Sequence, residues 1–115
     1  MSNIEYLRVL DNTQKEYLFE MYPRETEFNS VPGVYLFTKS RGNQQGDEIH
    51  DILYIGETQS FKNRPLGLYH HKWEDANRMG MTHICVRRVF QASDRKSIES
   101  RLIAAYNPPL NEKSG

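Results

Sequence analysis

The chain has a single cysteine, no membrane-length apolar run, no internal repeat and no net charge. Each shortage removes a class of protein. One cysteine, Cys85, cannot staple a small secreted scaffold with internal disulfides, so a reducing compartment, the cytoplasm, is expected. No stretch approaches the roughly 18 apolar residues of a spanning helix. The N-terminal Met-Ser-Asn-Ile-Glu has neither a basic flank nor an apolar core, so no signal peptide is expected. Four histidines and one cysteine at irregular spacings make no recognisable zinc motif.

What is present fits one soluble domain. The 115 residues are 37% hydrophobic and 26% charged, in the range of chains that bury a core. The zero net charge conceals a split. Residues 1–57 carry 5 Lys or Arg against 10 Asp or Glu, and residues 58–115 carry 10 against 5. A chain so divided can present a basic face to a polyanion although its pI is near neutral.

Pattern and punctuation give the order of elements. An acidic leader covers 1–30, in which Thr13-x-x-Glu16 has the form of a capping box opening a short helix through Met21, closed by Pro23. Val34-Tyr35-Leu36-Phe37 and Ile52-Leu53-Tyr54-Ile55 read as strands of a hairpin with a long polar loop over 39–50. Pro65 suits the first turn of a helix carrying Leu66, Tyr69, Trp73 and Ala76 on one face and ended by Gly80. A third strand follows from Thr82 to Val89, with Cys85 as a small core residue. Ser93 or Asp94 then caps a helix through Tyr106, stopped by Asn107-Pro108-Pro109. The order strand, strand, helix, strand, helix predicts an α/β domain with a small three-stranded sheet, antiparallel at its first hairpin.

The last helix holds a carboxylate in an unusual place. At about 100° per residue, Ile98, Leu102, Ile103 and Tyr106 share an arc of roughly 140° that also contains Glu99. An ionised carboxylate on an apolar stripe needs a cation or a hydrogen-bond partner. Arg95, one turn earlier on the same face, is one candidate partner, and a metal ion is the other. Tyr35 and Tyr54 lie on neighbouring strands, where tyrosine pairs ordinarily just pack, and the strands alone give them no more than that role. Arg64, beside a predicted helix N-terminus, suits a phosphate. His70 lies near the edge of that helix's apolar stripe and His71 points away from it, and either could shuttle a proton.

Gly33-Val34-Tyr35, Tyr54-Ile55-Gly56, Arg64, Glu99 and Asn111 together resemble the GIY-YIG nuclease superfamily. The order and spacing carry the resemblance: Arg64 follows Tyr54 by ten residues, and Asn111 follows Glu99 by twelve. Ile98-Glu99 through Tyr106-Asn107-Pro108-Pro109-Leu110-Asn111 is similar to the superfamily's C-terminal signature. The resemblance spans about 31–115 and leaves 1–30 as a partly helical N-terminal extension. It implies a three-stranded antiparallel sheet flanked by helices. It also implies Glu99 as the protein ligand of Mg2+ or Mn2+, Arg64 on the scissile phosphate, Tyr35 or Tyr54 near the attacking water, Asn111 in support, and a histidine, His70 by helix phase, as assistant.

The chain departs from that pattern in three places. Val34 replaces isoleucine, a mild exchange of β-branched residues. Glu57 adds a negative charge after the second motif, where it would compete for metal or repel phosphate. The sequence ends soon after Asn111, so specificity is expected from the loops, the leader or a protein partner, or else to be absent. The expectation is a metal-dependent endonuclease acting on DNA more than RNA, with Lys62, Arg64 and Arg95 as nucleic-acid contacts and no membrane association. The alternative is a catalytically weak binding or accessory module of the same fold.

Overall fold

The computed structural model describes residues 4–42, 44–62 and 71–111. Five strands and two helices run in the order β1 (Glu5–Leu10), β2 (Glu16–Pro23), β3 (Gly33–Gly42), β4 (Glu48–Thr58), α1 (Trp73–Arg78), β5 (His83–Arg88) and α2 (Ala92–Tyr106). All five strands form one sheet, ordered β1-β2-β5-β3-β4, and every neighbouring pair is antiparallel.

This corrects the expected three-stranded sheet flanked by helices. The strands β5-β3-β4 are present, but the N-terminal residues add two more, so the domain is mostly antiparallel sheet. The helix expected over 13–21 is a turn followed by strand β2, and the N-terminal extension, expected to be partly helical, forms a β-hairpin. Asp11 explains the error. Its Oδ1 accepts the Thr13 N–H at 2.7 Å, the Thr13 hydroxyl at 2.7 Å and the Lys15 N–H at 3.0 Å, while Tyr17 donates its hydroxyl to Oδ2 at 3.2 Å. Aspartate thus offers the backbone a turn in place of a helix start, and Gln14 completes it at φ 72°. Those hydrogen bonds, the Thr13 hydroxyl foremost, hold the Asp11 carboxyl down at about 2. After the turn, Tyr17 and Phe19 are buried while Glu16 and Leu18 are exposed, the period of two that marks a half-buried strand.

Alternation along the strands gives the sheet two covered faces. One buries Val9, Tyr17, Phe19, Val34, Leu36, Ile55 and Cys85 beneath α2, which contributes Leu102 together with half-buried Ile98 and Ile103. The other buries Tyr35, Phe37, Leu53, Phe61, Ile84 and Val86, with Ala76 of α1 and Met81 against them. Cys85 is fully buried, and that burial pushes its thiol up to about 12. The helix α2 starts earlier than expected, with Gln91 as its N-cap and Ser93 and Asp94 inside its first turn, and it ends at the expected Asn107, which has a left-handed φ of 45° and donates its N–H to the Ile103 carbonyl at 2.7 Å. Part of the helix expected after Pro65 lies outside the described residues. No helix among the described residues is long and apolar enough to cross a membrane.

The glycines of the two tripeptides are dictated by close approach. At Gly33 an added Cβ would run into the Arg87 backbone carbonyl and the Phe61 ring, and at Gly56 into the ring and hydroxyl of Tyr35. Gly33→Ala is expected to cost at least about 2 kcal/mol, because its neighbour is backbone and cannot swing away; Gly56→Ala should cost about 1–3 kcal/mol by displacing a ring. Urea midpoints check both. A Gly56→Ala protein as stable as the parent would show that Tyr35 does not lie across β4.

Candidate active site

Two of the candidate residues, Glu99 and Asn111, meet at the outer edge of β4. An unpaired strand edge leaves backbone donors and acceptors open, and the C-terminal segment closes them here. Leu110 donates its N–H to the Leu53 carbonyl at 3.0 Å. The Asn111 side-chain amide then brackets Ile55, its Oδ1 accepting the Ile55 N–H at 2.9 Å and its Nδ2 donating to the Ile55 carbonyl at 2.8 Å. Two residues further along the same edge, the Glu57 N–H faces the Glu99 carboxylate and favours its charged form. Asn111 and Glu99 therefore occupy successive positions on one strand edge.

Tyr35 lies against β4 on the opposite face of the sheet from α2. It pairs with Gly56 in register, and its ring crosses the glycine so that the hydroxyl stands over β4. Tyr35 is 5% exposed, with its ring 6.1 Å from that of Tyr54. Tyr54 is half-buried and packs between Phe37, at 5.7 Å, and His71, edge-on at 5.9 Å.

Glu99 comes from α2, half-buried beside Glu57. Desolvation first, and then the negative charge of Glu57, push its carboxyl above the ordinary range; the Glu57 N–H and Lys96 pull the other way. The Arg95 partner considered for Glu99 is instead engaged with Glu57, Nε to Oε2 at 2.9 Å. Arg95 is 4% exposed, and its Nη1 also donates to the carbonyls of Val89 at 3.2 Å and Phe90 at 2.9 Å. It ties α2 to the end of β5 and neutralises Glu57, the charge that sequence alone cast as a competitor for metal.

Arg64 and His70 lie outside the described residues. Lys62 is exposed just before them. Glu99 and Asn111 are set at the β4 edge, Tyr35 lies over Gly56 on the other face of the sheet, and Tyr54 sits among the aromatic side chains.

On the other flank of α2 lies a cleft of about 390 Å³ lined by Lys15, Arg87, Arg88 and Arg101, with Asp94 as its carboxylate. The spacing 94, 97, 98 and 101 lays these helix positions along one side, away from the row 95–99. Arg87 stacks on Tyr17, 5.4 Å from the ring centroid, and donates Nη1 to the Leu18 carbonyl at 3.1 Å. Its buried Nε has no hydrogen-bond partner among the described residues. Sequence signalled this cleft only as an excess of basic residues after position 57. The pairing of β2 with β5, which brings Lys15 and Tyr17 near Arg87, required the N-terminal hairpin to be known.

No family model, curated protein or solved structure matches the chain.

Proposed function

We propose that the protein is a divalent-metal-dependent endonuclease of the GIY-YIG type, hydrolysing phosphodiester bonds in DNA. The observation that carries this reading is that the Glu99 carboxylate and Asn111 are set at successive positions on the outer edge of β4, with the Tyr35 hydroxyl lying over Gly56 between those positions. Glu99 suits a hard cation: an oxygen donor, half-buried, beside a second carboxylate whose own charge is taken by Arg95. Mg2+ or Mn2+ held there would supply charge stabilisation at the phosphate and leaving oxygen. Asn111 fixes the strand edge against which Glu99 is set, and Arg95 positions Glu57. Tyr35 and Tyr54 offer hydroxyls for holding or moving the proton of a water. Arg64 and His70 complete the proposed set by their spacing, as phosphate ligand and proton carrier.

Cys85, single and buried, supports the cytoplasm as the compartment. The basic cleft supports a polyanion as substrate. It also favours a second reading, a binding module of weak activity, because it lies on the far flank of α2 from Glu99. Nicking of supercoiled plasmid separates the two: cleavage dependent on Mg2+ or Mn2+ supports the nuclease, and salt-sensitive binding without cleavage supports the module.

Binding is expected to weaken steeply with salt as lysine and arginine displace counterions. Arg101→Ala should reduce the slope of log affinity against log salt by about one, and Lys62→Ala likewise. A slope unchanged by both variants would remove these residues from the contact surface, and a parent affinity flat with salt would point to a protein partner.

A further inference from the structure

At the far end of the α2-covered face, roughly 20 Å along β3 from Val34, three ligating side chains converge. Glu48 and His50 lie on β4, two residues apart and so on one face. His83 lies on β5, and β3 runs between them. One nitrogen of each imidazole and a Glu48 carboxylate oxygen all lie within 4.8 Å of one another. The His50 side chain is only 3% exposed, and the two rings meet edge-on with centroids 5.1 Å apart.

We propose that Glu48, His50 and His83 form a binding site for a divalent transition metal, with zinc as its ion. Two imidazoles and a carboxylate are a recurrent zinc donor set, leaving a fourth tetrahedral corner for water. Nitrogen donors select zinc and its neighbours over magnesium. The surrounding hydrogen bonds are those that orient metal ligands. His50 Nδ1 lies 3.0 Å from the Thr38 hydroxyl, and His83 Nδ1 lies 2.7 Å from the Thr82 hydroxyl. With each ring proton on Nδ1 and donated to threonine, both Nε2 lone pairs are bare. The Thr82 hydroxyl can then donate to the Thr38 carbonyl, 3.4 Å away. Ser40 donates its hydroxyl to Glu48 Oε1 at 2.7 Å, holding the carboxylate as well. His50 Nε2 now stands 2.9 Å from Glu48 Oε1, so binding requires that its ring proton reside on Nδ1 and that the three donors adjust to the roughly 3.3 Å separations of a tetrahedral zinc site. Such outer partners fix tautomer and ring orientation, and each is typically worth about 10–100-fold in metal affinity. The ion would tie β4 to β5 across β3.

The site shares no residue with the proposed nuclease centre, so each reading stands or falls separately. Titration of metal-free full-length protein with zinc chloride, followed by calorimetry, should give one ion per chain. Cobalt should give the visible absorption of a tetrahedral site. Glu48 is exposed, so Glu48→Gln should fold as the parent does, judged by circular dichroism; it and His83→Gln should each weaken zinc by more than about 100-fold, beyond the worth of an outer partner. Glu99→Gln should bind zinc as the parent does. The absence of stoichiometric zinc binding, unchanged affinity in the Glu48→Gln/His83→Gln protein, or loss of the ion in Glu99→Gln would each overturn the proposal.

Discussion

Glu99→Gln is expected to lose metal-dependent cleavage by roughly 10³-fold or more, the several kcal/mol of charge stabilisation that a bound metal contributes. The fold should survive. Glutamine keeps an oxygen able to accept the Glu57 N–H and keeps the length of the side chain. The stability of the metal-free protein should hold or rise. Desolvation and Glu57 raise the Glu99 carboxyl above its ordinary value, so the folded pKa exceeds the unfolded one. A group shifted that way contributes stability that is fully present below the unfolded pKa and lost as pH rises through the folded pKa. Wherever it is ionised, the Glu99 side chain is therefore a burden on the metal-free fold, and a permanently neutral glutamine relieves it. Activity down with stability level or up is the signature of a residue kept for chemistry rather than packing. The same shift predicts that Mn2+ affinity of the parent falls as pH drops through the raised pKa. Single-turnover cleavage and urea midpoints on one preparation test both halves, and a folded Glu99→Gln protein that cuts at the parent rate removes Glu99 from the mechanism.

The parts of this architecture that were legible in sequence are those set by local pattern. The runs at 34–37, 52–55 and 82–89 all lie in or across observed strands, and the stop at Asn107 is where α2 ends. The N-terminal hairpin was hidden by a coincidence of chemistry. Thr13-x-x-Glu16 fits a capping box, and only the Asp11 side chain, binding both Thr13 and Lys15, diverts the backbone into a turn. The alternation of Tyr17 and Phe19 was the available signal. Charge partners were harder to read. Helix phase offered Arg95 to Glu99, but the folded sheet brings Glu57 to Arg95 from 38 residues away. No spacing rule anticipates that pairing. The Glu48, His50 and His83 group is illegible for the same reason, since β3 must lie between β4 and β5 before 48 and 83 become neighbours.

Tyr35→Phe is expected to reduce cleavage more than Tyr54→Phe does, by on the order of 10²–10⁴ if its hydroxyl takes a proton from water. Sequence alone ranks the two tyrosines nearly equal; position separates them. The Tyr35 ring crosses Gly56, so its hydroxyl stands over β4 next to Glu57, whose N–H faces Glu99. Tyr54 is set among Phe37, Tyr35 and His71, one pair of residues further from that carboxylate. A hydroxyl there can orient a water or a phosphate, a contribution closer to one hydrogen bond than to proton transfer. Both exchanges leave the rings to pack, so urea midpoints should move little, whereas truncating buried Tyr35 to alanine should cost about 3–5 kcal/mol, as for a large aromatic side chain. The pH profile adds a second criterion. If Tyr35 is the base, the parent's rate should rise with pH toward the tyrosine's pKa, and Tyr35→Phe should flatten that rise while Tyr54→Phe preserves it. A larger loss in Tyr54→Phe would reverse the assignment. Parent rates in both variants would leave the two tyrosines as packing residues and return the search for a base to His70.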